Sequence, residues 1–229
     1  MTSFQPHLEI LPAPQRAIWP LLAASIERGL VLYGGTAVAL RLGHRTSVDF
    51  DFFTEKPIDI DELKDTFGFL ETSKVIQSQI DILTVLVPVH ESSVKISFFG
   101  SITIGRAGAP SHTNDGVLEV ASLLDLLATK VKVVQQRIEA KDYQDVAAIL
   151  RSGIKLEDGL AAATVMYSPA FQPSEAIKAL TYFEGGDLDR LQVADKGRLV
   201  HAASAVRRIP VVGLASRRLS SEDGDLIAT

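Results

Sequence analysis

Two aspartates separated by one residue, Asp49 and Asp51, lie in the otherwise apolar run Val48–Phe53. Alternate residues of a strand share a face, so the two carboxylates project together, roughly 7 Å apart along the chain. Neighbouring carboxylates repel, and both stay ionised at low cost only where a cation sits between them or water reaches them. Mg²⁺ suits such a pair, with Mn²⁺ as a substitute, because it takes one or two carboxylates and completes its shell with substrate phosphate oxygens. An edge strand with a wetted polar face carries the same pattern, so the pair alone does not decide.

Upstream, Gly34-Gly35 follows apolar Leu30–Tyr33 and precedes Thr36–Leu42, a short helix-forming stretch. Bare glycine backbone at a helix N-terminus lets N–H groups approach a phosphate, and the helix dipole favours its charge. A plain strand-to-helix turn uses glycines in the same way. Arg41, His44 and Arg45 then fall just before the aspartates, where they can balance phosphate charge or face solvent. Taken in this order, the parts describe a site for a metal-bound nucleotide.

Further along, Lys130 and Arg137 are two turns apart, nearly on one side of a helix. Lys130 flanks an apolar stripe, so its ammonium is expected at the edge of the packed face, within reach of a β- or γ-phosphate. A lysine stem lying along the core edge is the structural alternative. Asp142 and Asp145, three apart on the next helix, can orient either cation or simply pair with it.

These residues need elements to hold them. Apolar spacing predicts a helix over Pro14–Glu27, then the strands Leu30–Tyr33 and Val48–Phe53. Asp59 is placed to cap a helix over Ile60–Phe67. Three strands follow at Val75–Gln79, Ile82–Val87 and Val94–Phe99, separated by short polar turns. Gly100–Gly116 reads as a loop, with room for one short strand at Ser101–Gly105. From Ser122 the chain is helical: a long helix to about Glu139, then Lys141–Leu150, Leu156–Tyr167, Ser174–Phe183 and Val193–Arg208. The expected architecture is α+β: a small mixed β-sheet core with flanking helices over residues 1–120, a helical lobe over 121–215, and a flexible tail over 216–229.

Composition agrees with a globular chain of 229 residues, 46 % hydrophobic and 22 % charged. Without cysteine it has neither disulfides nor thiolate ligands. No basic region precedes an apolar run at the N-terminus, and no uncharged apolar stretch reaches the ~18 residues of a membrane span, so a cytoplasmic protein without a membrane partner is expected. The net charge of −5 argues against a surface that coats nucleic acid. Residues 190–218 nevertheless hold seven basic side chains against one acidic, net +6. Such a segment can contact an RNA backbone or simply be solvated.

Gly34-Gly35-Thr36, Arg41, His44-Arg45, Ser47 and Asp49-Phe50-Asp51-Phe52-Phe53 together resemble the AbiEii/AbiGii-type nucleotidyltransferase toxins of the polymerase-β-like superfamily. Leu123–Asp145 resembles the same family's helical K…R…KD-x-x-D segment, which puts Lys130, Arg137, Asp142 and Asp145 in its named positions. The resemblance implies a Mg²⁺-dependent transfer of NMP from an NTP to an acceptor hydroxyl. It further implies RNA, such as a tRNA 3′ end, as acceptor, and a cognate antitoxin as partner. On this reading Asp49 and Asp51 hold metal, Gly34, Gly35 and Thr36 cradle the triphosphate, and Arg41, Arg45 and Lys130 neutralise its charge. One departure stands out. Superfamily enzymes often carry a third carboxylate on a later strand, and the aligned residue here is Ser97. Asp81 is the first candidate to replace it and Glu119 the second. A non-catalytic nucleotide-binding regulator is the alternative from another class, and a D-x-D glycosyltransferase is a weaker enzymatic one.

Overall fold

The computed structural model describes residues 2–221. Their contacts separate into two compact units: residues 2–105, 109–121 and 216–221 form the first, and Arg106–Gly108 with Ser122–Ala215 form the second.

The first unit is built on an eight-stranded mixed sheet. Its strands are β1 (Ser3–Phe4), β2 (Val31–Tyr33), β3 (Phe50–Phe53), β4 (Lys74–Gln79), β5 (Ile82–Val89), β6 (Ser92–Phe99), β7 (Ser111–Thr113) and β8 (Glu119–Val120). Their spatial order is β1-β7-β8-β2-β3-β6-β5-β4. The helices of this unit are α1 (Ala13–Ile18), α2 (Gly34–Leu42) and α3 (Ile60–Thr66). Hairpins join β4, β5 and β6, whereas β3 runs parallel to β6 and antiparallel to β2.

Alternation decides what each sheet face does. Phe50, Phe52, Leu83, Val85, Val94, Ile96 and Phe98 are all buried on one face. There Phe52 stacks on Phe98 at 5.7 Å, and Phe67, just beyond α3, packs on Phe98 at 5.4 Å. Each such ring contributes about 1.5–3 kcal/mol through burial. The other face carries Tyr33, Asp51, Thr84 and Ser97 in one cross-strand row.

Several expectations are corrected. The first helix stops at Ile18 and continues as a 3₁₀ segment over Trp19–Ser25. Pro20 has no N–H, and its ring crowds the carbonyl of Arg16, so α-helix cannot continue through it. Strand β3 begins at Phe50, which leaves Val48 and Asp49 ahead of it. The segment Ser101–Gly105 is no strand, and Ser101 turns at φ 51°. Strands β1, β7 and β8, of two or three residues each, were not expected. Asp59 does cap α3, accepting from the N–H groups of Asp61 and Glu62.

The expected tail is also corrected where it is described. Leu219 is fully buried, its N–H donates to Glu55, and the Ser221 N–H donates to Glu119. The rest of that segment, residues 222–229, lies outside the described residues.

The second unit is helical: α4 (Leu123–Val133), α5 (Ala140–Arg151), α6 (Leu156–Met166), α7 (Pro173–Thr181) and α8 (Val193–Ala205). The Ser122 hydroxyl accepts from Asp125 N–H and caps α4. The helix expected to reach Glu139 ends at Val133, and a turn carries Arg137 back toward α5. The Asp187 carboxylate accepts from the Ala140 N–H at the start of α5.

Candidate active site

Strand β2 delivers the chain into Gly34, whose φ of +74° lies in the left-handed region that favours glycine. Helix α2 starts at this residue, and its N-cap residue Tyr33 makes no side-chain capping bond. The first N–H groups of a helix have no partner within it, and the positive end of the dipole lies there. Asp51 stands opposite Tyr33 on β3, and its carboxylate is packed against Gly34: a Cβ on Gly34 would lie 2.7 Å from Asp51 Oδ2. One carboxylate of the pair is thus seated at the glycine turn.

Asp49 is held by a different set of bonds. The Thr36 hydroxyl donates to the Asp49 carbonyl and also meets Ser47 Oγ at 2.7 Å, both hydroxyls being buried. The Gln15 amide donates to the Val48 carbonyl at 2.9 Å. These contacts pin the residues before β3 to α1 and α2. The Asp49 carboxylate meets Lys95 Nζ at 2.9 Å on the neighbouring strand β6.

Some predicted residues have other work. The Thr36 hydroxyl holds the Asp49 carbonyl and Ser47, which gives that oxygen a positioning role. The Arg41 guanidinium donates to the carbonyls of Val120 and Ala121, each at 2.8 Å, and lies 4.3 Å over the Phe4 ring. These contacts clamp α2 to β8 and β1. His44 and Arg45 occupy the loop between α2 and β3, both partly buried, and Arg45 donates to the Thr46 carbonyl.

Ser97, aligned with the missing third carboxylate, stands directly opposite Asp51 in the parallel β3–β6 register and is buried. Neither proposed substitute reaches this place. Asp81 sits in the β4–β5 turn at φ 60°, and its carboxylate accepts from the Ile58 N–H at 2.9 Å. It lies three residues, about 10 Å, along the strand from Thr84, the neighbour of Ser97. Glu119 is buried on β8, two strands from Asp51 or about 10 Å across the sheet, and accepts from the Ser221 N–H. Among the described residues, no group of three or more His, Asp or Glu side chains gathers at a point.

The helical unit assembles its own charged set. Lys130 is not at an edge: its side chain is 5 % exposed, and Nζ meets Asp142 at 2.7 Å and Asp145 at 2.6 Å. Arg137 donates from Nε at 2.7 Å and from Nη2 at 3.1 Å to the same Asp142 carboxylate. Asp142 and Asp145 are fully buried, and the four charges sum to zero. Burial pulls the Asp142 pKa upward, but its bonds to Arg137 and Lys130 outweigh this and hold it below the ordinary carboxylate range. The ammonium expected to face a phosphate is instead enclosed by two carboxylates, because α5 presents both on one side.

The basic segment is divided between the two units. Arg190, Arg198, Arg207 and Arg208 are exposed in the helical unit, whereas Arg217 and Arg218 belong to the sheet unit. Gln15 and Lys95 were missed by sequence reasoning. Lys95 precedes Ser97 by two residues as Asp49 precedes Asp51, a signal readable only once the two strands are known to be parallel neighbours.

The Gly34 contact makes a prediction about stability. Gly34→Ala is expected to lower the melting temperature more than Gly116→Ala. Both residues have left-handed φ, which costs a side chain about 1–2 kcal/mol. Only Gly34 has a neighbour that a Cβ would strike, since nothing lies within 4 Å of one built on Gly116. Equal losses in thermal melts would assign the cost to φ alone and release Asp51 from the turn.

An uncharacterized protein of Aquifex aeolicus (strain VF5) is 30 % identical over 139 residues, which are 60 % of this chain and 65 % of that protein. The nucleotidyl transferase AbiEii toxin family, described as a type IV TA system, matches residues 20–196. That match spans the glycine turn, the aspartate pair and the Lys130 network together, and the chain belongs to the AbiEii nucleotidyl transferase toxin family.

Proposed function

We propose that the chain transfers a nucleoside monophosphate from an NTP to an acceptor hydroxyl, as the toxin of a type IV toxin–antitoxin pair. The observation that carries this reading is the Asp51 carboxylate seated against Gly34 at the start of α2, with Asp49 two residues away. An all-oxygen donor pair beside bare backbone N–H groups fits Mg²⁺ and a triphosphate together. Bound there, Mg²⁺ or Mn²⁺ supplies charge neutralisation on the phosphate oxygens.

The chain's own residues do the positioning. Asp49 and Asp51 hold the metal, and the backbone of Gly34 and Gly35 receives phosphate oxygens. Thr36, Ser47 and Gln15 keep Asp49 in place. Arg45, in the loop between α2 and β3, adds positive charge, with His44 beside it in the chain. The acceptor oxygen attacks the α-phosphorus in line, the new P–O bond replaces the bond to pyrophosphate, and the hydroxyl proton passes to water. RNA, in particular a tRNA 3′ end, is the proposed acceptor, consistent with the exposed arginines of α8 and its C-terminal extension. A cognate antitoxin is the proposed protein partner and the cytoplasm the proposed location. No helix among the described residues is long and apolar enough to cross a membrane.

A second reading, a nucleotide-binding regulator without transfer, is favoured by one observation: Ser97 occupies the position opposite Asp51. Incubation with each α-labelled NTP, Mg²⁺ or Mn²⁺ and total RNA separates the two. Label on RNA is expected; tight binding of Mg·NTP with no labelled acceptor would establish the regulator.

A further inference from the structure

Lys95 takes no part in the chemistry above, yet its ammonium holds the Asp49 carboxylate at 2.9 Å. The placement follows from strand register. Strand β6 runs parallel to β3, with Ile96 opposite Phe50 and Ser97 opposite Asp51, so Lys95 falls beside Asp49 on the same face. Where a third carboxylate would raise the local charge to −3, this sheet supplies a cation and a hydroxyl. Asp49, Asp51, Lys95 and Ser97 together carry −1.

Lys95 and Asp49 are each more than one-third exposed, and an ion pair of that kind contributes little to folding. Its consequence lies in what else can approach Asp49. A divalent ion shared by the aspartates meets an ammonium already bonded to one of them, and two cations at one carboxylate repel. Triphosphate changes this balance, because its negative charge gives the displaced ammonium a new partner.

We infer that Lys95 is a resident counter-cation which a divalent metal must displace from Asp49, so that the site takes metal weakly alone and strongly together with a triphosphate. The inference rests on the proposed metal-binding role of the aspartate pair. It makes metal and triphosphate binding mutually dependent, with Lys95 as the coupling residue.

The test is titration of the full chain with Mn²⁺, followed by electron paramagnetic resonance, with and without inorganic tripolyphosphate. Lys95→Met is expected to bind Mn²⁺ alone about tenfold more tightly than the unsubstituted protein. It is also expected to lose most of the gain in Mn²⁺ affinity that tripolyphosphate gives the unsubstituted chain. Lys95→Arg, which keeps the charge, should retain both properties, and thermal melts establish that each variant is folded. Equal Mn²⁺ affinity in the unsubstituted protein and Lys95→Met, with Asp51→Asn abolishing binding in both, overturns the inference and leaves the metal site standing. Mn²⁺ binding that is absent throughout, or indifferent to Asp51→Asn, overturns the metal reading and the inference with it.

Discussion

Asp51→Asn is expected to lower nucleotidyl transfer by about a thousandfold or more while leaving the fold intact. The substitution keeps the shape of the side chain against Gly34 and removes its charge. Strand β3 remains paired on both sides through backbone bonds, and the apolar face of Phe50 and Phe52 is untouched. Stability therefore has little to lose. On the proposed mechanism catalysis loses one of the two anionic oxygen donors, and among the described residues no group of three or more His, Asp or Glu side chains gathers to replace it. Transfer of α-label to RNA, with a calorimetric melt of the same preparation, measures both effects. Transfer near the unsubstituted rate in a folded variant would remove Asp51 from the site.

The second large effect belongs to the helical unit. Lys130→Met is expected to destabilise the protein by about 3–5 kcal/mol, because it leaves buried carboxylates without their shared cation. Methionine fills much of the lysine stem's volume, so the loss is chiefly electrostatic. Urea unfolding of the full chain, followed by the helical signal, gives the number. Adding Asp145→Asn to Lys130→Met should recover part of it, since one of the two buried negative charges disappears. A loss below about 1 kcal/mol, the range of an exposed ion pair, would contradict the enclosed geometry.

The same network sets the direction of the acid response. Asp142 is a carboxyl with a depressed folded pKa, so its stabilisation is fully present above the unfolded value of about 3.9. It is lost as pH falls through the lower folded value. Unfolding free energy should therefore decline on acidification below the ordinary carboxylate range. Lys130→Met, lacking one of the two cations that depress Asp142, should show a smaller decline across that window.

Much of this was legible before folding. The D-x-D spacing singled out Asp49 and Asp51, of which Asp51 lies on β3 against Gly34 and Asp49 just ahead of the strand. The glycine pair marked the turn into α2, since only glycine enters left-handed φ at little cost. Binary patterning located β5 and β6, and Asp59 and Ser122 announced the helix starts that they cap. The short strands β1, β7 and β8 were hidden, because two or three residues display no period.

What the sequence could not determine was the partner of each charged group. Arg41 and Lys130 both read as cations suited to phosphate. Folding gave Arg41 the carbonyls of Val120 and Ala121, some eighty positions away, and gave Lys130 two carboxylates on the next helix. Lys95, which carried no local signal, came to Asp49 through the parallel register of β3 and β6. Face and spacing are set by backbone periodicity, which acts over a few residues. The partner of a charge is set by strand register and helix packing, which bring together residues distant along the chain and so were decided only in the tertiary structure.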